Sequence, residues 1–130
     1  MKVNILVGVR FQAGQLAKVL MEVGHDLNIY SSSPAKKWRL GESNNHRIHF
    51  VPMLANIFHA LTKRQLPYWI REWSIVLFDV LCSIFMTRSD ILHAWSSFGL
   101  ISIRKAKRQG SMVFVEKSCP HPNFQNKLLD

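Results

Sequence analysis

The chain is short of cysteine, of acid and of glycine-rich signature loops, and each shortage removes a class of protein. Two cysteines in 130 residues, Cys82 and Cys119, are too few for a disulfide scaffold. Cys82 lies within an apolar run and reads as a small buried hydrophobe. Cys119 and His121 are two soft ligands at close spacing, but zinc takes four donors and no second Cys/His pair is near, so no metal site is expected. The first loop lacks G-x-G-x-x-G, and no acid ends the second strand, where Ser31, Ser32 and Ser33 stand instead; a dinucleotide fingerprint is excluded. No Gly-Lys-Ser/Thr follows either, which removes the P-loop. The longest apolar stretch, residues 69–86, carries Arg71, Glu72 and Asp79, and so reads as a buried or interfacial helix rather than a membrane span. The first apolar run is short and lacks a small-residue cleavage site, so the expectation is a cytoplasmic protein, peripheral on the inner membrane face if its basic helices dock there. There is no internal repeat and no low-complexity segment.

What is present is apolar and basic. Hydrophobic residues make up 48%, which argues against disorder. The length fits one domain, 1–130, and a chain of this size buries roughly two-thirds of its unfolded surface. Seventeen Lys and Arg face eight Asp and Glu, a net charge of +9. Such a domain favours anionic partners: nucleic acid, an anionic membrane surface or a phosphorylated small molecule.

Short apolar runs at residues 3–9, 27–30, 48–51, 90–95 and 112–115 predict five strands. Leu16, Val19, Leu20 and Val23 recur at helical spacing before Gly24, a helix stop. Residues 35–45 are polar and basic and read as a surface excursion. Leu54, Phe58 and Leu61 suggest a helix, and residues 68–87 a longer one with a narrow polar stripe of Glu72, Asp79 and Ser83. Such a helix is mostly buried or docks on something apolar. A further helix runs to Arg108, ended by Gly110, and Phe124, Leu128 and Leu129 start a last one. Buried strands alternating with helices predict an α/β fold: a Rossmann-like, doubly wound parallel sheet, strand order 3-2-1-4-5.

In that order ligands bind at the carboxyl ends of the strands, at the switch point between strands one and four. The flanking loops are residues 10–14 and 95–99. In the first, Arg10, Gln12 and Gly14 are candidates: Gly14 is a turn glycine or a bare backbone that meets an anion, and Arg10 offers a charge-assisted contact or a structural ion pair. In the second, His93 and Trp95 share a strand face. Trp95 stacks on a sugar ring or fills the core. Ser96 or Ser97 is expected to cap the next helix. Glu116, at the end of the fifth strand, is an acid, a hydrogen-bond partner or a salt-bridge residue, with His121 beyond it. Arg104, Lys105, Lys107 and Arg108 form the densest basic run. It is a solvated helix end or a patch for anionic lipid. The run has no interleaved aromatics, which argues against nucleic acid.

Taken together, these segments carry a resemblance. Residues 90–98, Asp-Ile-Leu-His-Ala-Trp-Ser-Ser-Phe, resemble the Asp-hydrophobic-hydrophobic-His-Ala-His pattern of retaining family-four glycosyltransferases of the GT-B fold. Residues 115–122, Val-Glu-Lys-Ser-Cys-Pro-His-Pro, with Gln125, are similar to the Glu-Arg-Gly-Ser-Ser-His segment of one branch, and residues 11–17 fall where the family has its first glycine-bearing loop. Trp95 stands where the pattern has its second His. The resemblance implies the acceptor-side domain of a two-domain enzyme, with the loop of residues 10–14, His93, Trp95 and Glu116 lining the acceptor side. It implies a sugar or lipid-linked acceptor, no cofactor in this part, and a nucleotide-sugar donor held by a second domain with a Glu-x(7)-Glu segment. On this reading the chain is a truncated amino-terminal half, inactive alone. The alternative is a basic, non-enzymatic Rossmann-like module that binds anionic lipid or nucleic acid.

Overall fold

A computed structural model of the protein describes residues 1–8, 12–41, 45–64, 66–96 and 98–117. It is a Rossmann-like α/β fold. Five parallel strands, β1 (Lys2–Val7), β2 (Asp26–Ser31), β3 (His46–Phe50), β4 (Ile91–Trp95) and β5 (Met112–Glu116), lie in the order 3-2-1-4-5. Helix α1 (Ala13–Glu22) covers one face; α2 (Leu54–Thr62), α3 (Tyr68–Phe85) and α4 (Leu100–Arg108) lie on the other. The strand order and parallel pairing are those expected from the buried runs.

The pleat of β1 divides the core in two. Val3, Ile5 and Val7 point to the α1 side, where they meet Ala13, Ala17, Leu27, Ile29 and Trp95. Leu6 points the other way, into Tyr30, Phe78, Cys82, Leu92 and Ala94. The α1 helix packs through Ala13, Gly14 and Ala17, all buried, while Val19 and Val23 are exposed. Small residues let the helix lie close to the sheet; of the stripe of larger apolar residues, Leu16 and Leu20 pack partly buried beside them, and Val19 and Val23 turn outward. The helix also begins at Ala13, which moves Gly14 from the expected loop into the first turn. Gly24 and Gly110, at φ of 93° and 82°, close α1 and α4 in the left-handed region, as expected of glycine stops.

The segment read as a surface excursion is corrected by Trp38. A short 3-10 turn, Ala35–Lys37, turns the chain inward and leaves the Trp38 ring fully buried on the α1 side, with Leu40 packed against the same cluster. The basic residues Lys36 and Lys37 stay outside.

Helix α3 organises its face through polar side chains. Ser74 Oγ accepts the Ala55 N–H at the start of α2, at 2.9 Å. The buried Asp79 carboxylate accepts the N–H groups of Ile101 and Ser102 at 2.6 and 3.0 Å, and the Ser102 hydroxyl at 2.6 Å. A helix N-terminus leaves its first N–H groups free, and a carboxylate there also complements the macrodipole. The cap of α4 therefore comes from α3: the N-cap residue is Gly99, with no side-chain cap bond of its own; of the two serines expected to cap, Ser96 does not take the role and Ser97 lies outside the described residues. Lys105 completes a reciprocal arrangement, since its ammonium donates to the Ser83 carbonyl and to the Met86 carbonyl, the latter at 3.0 Å, at the end of α3. Two glycines admit close packing: a Cβ on Gly8 would stand 2.5 Å from the Phe98 ring, and one on Gly99 would stand 2.6 Å from Leu6.

Candidate functional site

The switch point predicted from strand order lies where β1 and β4 end. Gly8 follows β1, and the Phe98 ring rests against it. Phe98 packs against both core clusters, so it closes the sheet at this end. On the β2 side, Ser32 donates both its N–H (3.0 Å) and its hydroxyl to the Gly8 carbonyl, and Asn56 Nδ2 reaches Ser32 Oγ at 2.9 Å. Of the first-loop candidates, Gln12 is exposed just before α1, Gly14 is buried within it, and Arg10 lies outside the described residues.

The polar pair of this end comes from the second and third segments. His93 and Trp95 alternate with Leu92 and Ala94 along β4, which turns them toward the α1 side. Parallel pairing sets Phe114 beside His93 and Glu116 beside Trp95. Glu116 Oε2 then meets His93 Nε2 at 3.0 Å, with the two side chains 35% and 21% exposed, respectively. Both are thus partly desolvated yet open to a ligand. The His93 and Trp95 rings are 4.8 Å apart and tilted by 48°. Trp95 is 3% exposed and belongs to the α1-side core, so of its two readings the structure shows the core filler. It backs His93 and fixes the ring's setting. Ser96 is exposed at the strand end, its N–H bonded to the Glu116 carbonyl at 2.9 Å.

Asp90, the first residue of the segment that carries the resemblance, works at the other end of the sheet. Its carboxylate accepts the Lys2 N–H at 2.8 Å and its own N–H bonds the Lys2 carbonyl at 3.0 Å, tying β4 to β1. His121 lies outside the described residues. Of the basic run, Arg104, Lys107 and Arg108 are exposed, whereas Lys105 is engaged at the end of α3. Among the described residues no group of His, Cys, Asp and Glu could hold a metal ion.

Two hollows adjoin the sheet. One, of about 210 Å³, lies between α1 and β5 and runs from His93 toward the amino ends of β1 and β4, lined by Met1, Val3, Leu16, Leu20, His25, Ile91, His93 and Phe114. His93 thus faces Glu116 on one side and an apolar groove on the other. The larger hollow, about 330 Å³, lies at the amino ends of β1, β2 and β3 among Lys2, Asp26, Asn28, His46, Arg47 and His49. Sequence reasoning did not single it out. Its His49 ring stacks on Tyr30 at 4.7 Å and meets Asn28 Oδ1 at 3.4 Å; burial, then the Arg47 charge, holds its pKa below the ordinary value. The carboxyl end remains the better candidate, because parallel sheets direct their loops and helix N-termini there. The amino-end hollow is walled largely by strand edges and exposed chains.

Burial, then the Asp79 carboxylate, pushes the Cys82 thiol well up, so it is an inert core residue, as its apolar setting predicts. No family model, curated protein or solved structure matches this chain.

Proposed function

We propose that the chain is the acceptor-side domain of a retaining glycosyltransferase, which moves a sugar from a nucleotide donor to an acceptor hydroxyl. One observation carries this reading. The resemblance drew attention to two separate segments, and their His93 and Glu116 meet at 3.0 Å near the carboxyl edge of a 3-2-1-4-5 sheet. A histidine oriented by a carboxylate can hold or accept a hydroxyl proton. In transfer, the acceptor oxygen bonds to the sugar carbon, the bond from that carbon to the phosphate oxygen breaks, and the acceptor proton must leave. The pair is suited to orient that hydroxyl, with the apolar groove beside His93 for an apolar part of the acceptor. The donor phosphates belong to a second Rossmann-like half, and most of the rate would come from positioning and electrostatics there.

The test is to read the gene downstream of Asp130 and assay its full product with a panel of nucleotide sugars. A second α/β half with Glu-x(7)-Glu, and nucleoside diphosphate released only when acceptor is present, is the expected result. A stop directly after Asp130, or a full product that turns over no nucleotide sugar, would overturn the reading.

A further inference from the structure

The outer surface of the α2–α3 hairpin is apolar and uncovered. Successive residues of an α-helix turn by about 100°, so Trp69, Trp73, Val76, Val80 and Ile84 share one side of α3. That side is opposite Ser74, Phe78 and Cys82, which are buried. Trp69, Trp73 and Ile84 are 65%, 69% and 63% exposed, values that rule out a core role. Tyr68, Trp69, Glu72, Trp73 and Val76 line a shallow, almost wholly apolar hollow of about 280 Å³. Helix α2 has no buried residue and exposes Leu54, Ile57, Phe58 and Leu61. The surface is broad, spans two helices and is rich in Trp and Tyr at one end.

Charge identifies what covers it. Residues 54–108 hold eight Lys and Arg but three acids, Glu72, Asp79 and Asp90. Asp79 is buried as a cap, and Asp90 bonds the Lys2 N–H at the amino end of the sheet. Lys63 and Arg64 are exposed at the hairpin turn, and Arg71 lies 5.5 Å over the Tyr68 ring. Arg88, Arg104 and Arg108 are exposed beyond and beside α3. A second copy docking here would bring like charges together, which opposes self-association. Glu72, exposed in the hollow itself, is outnumbered by these cations; aromatic rings with one apolar body and one polar tip, in a predominantly cationic setting, suit the headgroup layer of an anionic bilayer. No helix among the described residues is long and apolar enough to cross a membrane, so the contact is interfacial.

We propose that the α2–α3 hairpin is a membrane-interface anchor, whose Trp69 and Trp73 rings enter the headgroup region of an anionic bilayer. The inference is independent of the transferase reading, since none of these residues belongs to the His93 site.

The four tryptophans make the test selective, because Trp38 and Trp95 are buried while Trp69 and Trp73 are exposed. The full chain is mixed with vesicles of equal parts phosphatidylcholine and phosphatidylglycerol, with and without brominated acyl chains. Expected are a blue shift of the fluorescence, quenching by bromine, and clearly weaker binding to pure phosphatidylcholine. Trp69→Ser/Trp73→Ser, with circular dichroism unchanged, should lower partitioning about tenfold or more and abolish the quenching. No binding by the wild-type chain would overturn the proposal, as would a double variant that binds equally well. So would a vesicle-free dimer that the double substitution dissociates, which would assign the surface to a second copy.

Discussion

The two faces of the sheet are held by different chemistry. On the α1 side, one helix lies close on small residues, Ala13, Gly14 and Ala17, over an apolar core. Among the described residues no second helix covers the β4–β5 part of that face, and the His93–Glu116 pair stands there. On the other side three helices are joined through Ser74, Asp79 and Lys105, side chains from within one helix that satisfy backbone groups of another, at the start of α2, the start of α4 and the end of α3. Apolar packing alone needs only complementary shape, whereas polar latches fix how helices are set against one another. The contrast explains why the first face can offer an open polar pair while the second offers a shaped exterior surface.

Breaking the latch should show the largest effect. Asp79→Ala leaves the Ile101 and Ser102 N–H groups of α4 without their acceptor and should cost about 3 kcal/mol. Urea unfolding reads the loss, and hydrogen exchange should localise it to α4. A loss below about 1 kcal/mol would mean that water replaces the carboxylate and that the second face is held mainly by Phe78 and its neighbours.

The next test falls where the two faces meet. Gly8→Ala places a Cβ 2.5 Å from the Phe98 ring, which belongs to both clusters. Overpacking of this kind should cost about 2 kcal/mol, and Phe98→Leu in the same chain should recover part of it. Equal losses with and without the second substitution would show that the ring does not fill the switch point.

The smallest effect sharpens the comparison at the amino end. The lowered His49 pKa means that the folded chain binds fewer protons there than the unfolded chain. Stability from this group is therefore complete above about pH 6.5 and is lost as pH falls through the folded value. His49→Gln should flatten the fall in the urea midpoint below neutrality. An unchanged slope would move the acid sensitivity to another group.

The sheet is legible because each strand is a short run of strand-forming residues, buried in β1, β2 and β4 and more open at the edges in β3 and β5, and the two helix-ending glycines mark real stops. The order followed from crossover handedness, which needs no particular residue. What escaped the sequence was long-range or aperiodic. Trp38 is one large ring in a polar stretch, with no period to flag it. The stripe of Glu72, Asp79 and Ser83 was visible, but its use was not: Asp79 caps a helix that starts 21 residues later, and the Ser83 carbonyl receives Lys105. Local capping rules look within a few residues and so favour Ser96 or Ser97. At the site, strand alternation placed His93 and Trp95 on one face, yet only the β4–β5 register could bring Glu116 to His93. The same alternation left Trp95 open to two readings, and the depth of the α1-side core decided between them. The long helix was read as buried or docked; it buries one side, and its apolar outer side stands exposed.

The most direct test of the account is His93→Gln in the full gene product, assayed for sugar incorporation from a panel of labelled nucleotide sugars into total lipid and oligosaccharide extracts. Glutamine keeps a polar side chain of similar reach but holds no titratable proton. The account predicts a fall in kcat/KM for acceptor of about 100-fold or more, with the donor KM unchanged and the pH profile altered. Wild-type incorporation with an unaltered pH profile would contradict it and remove the His93–Glu116 pair from the function of this fold.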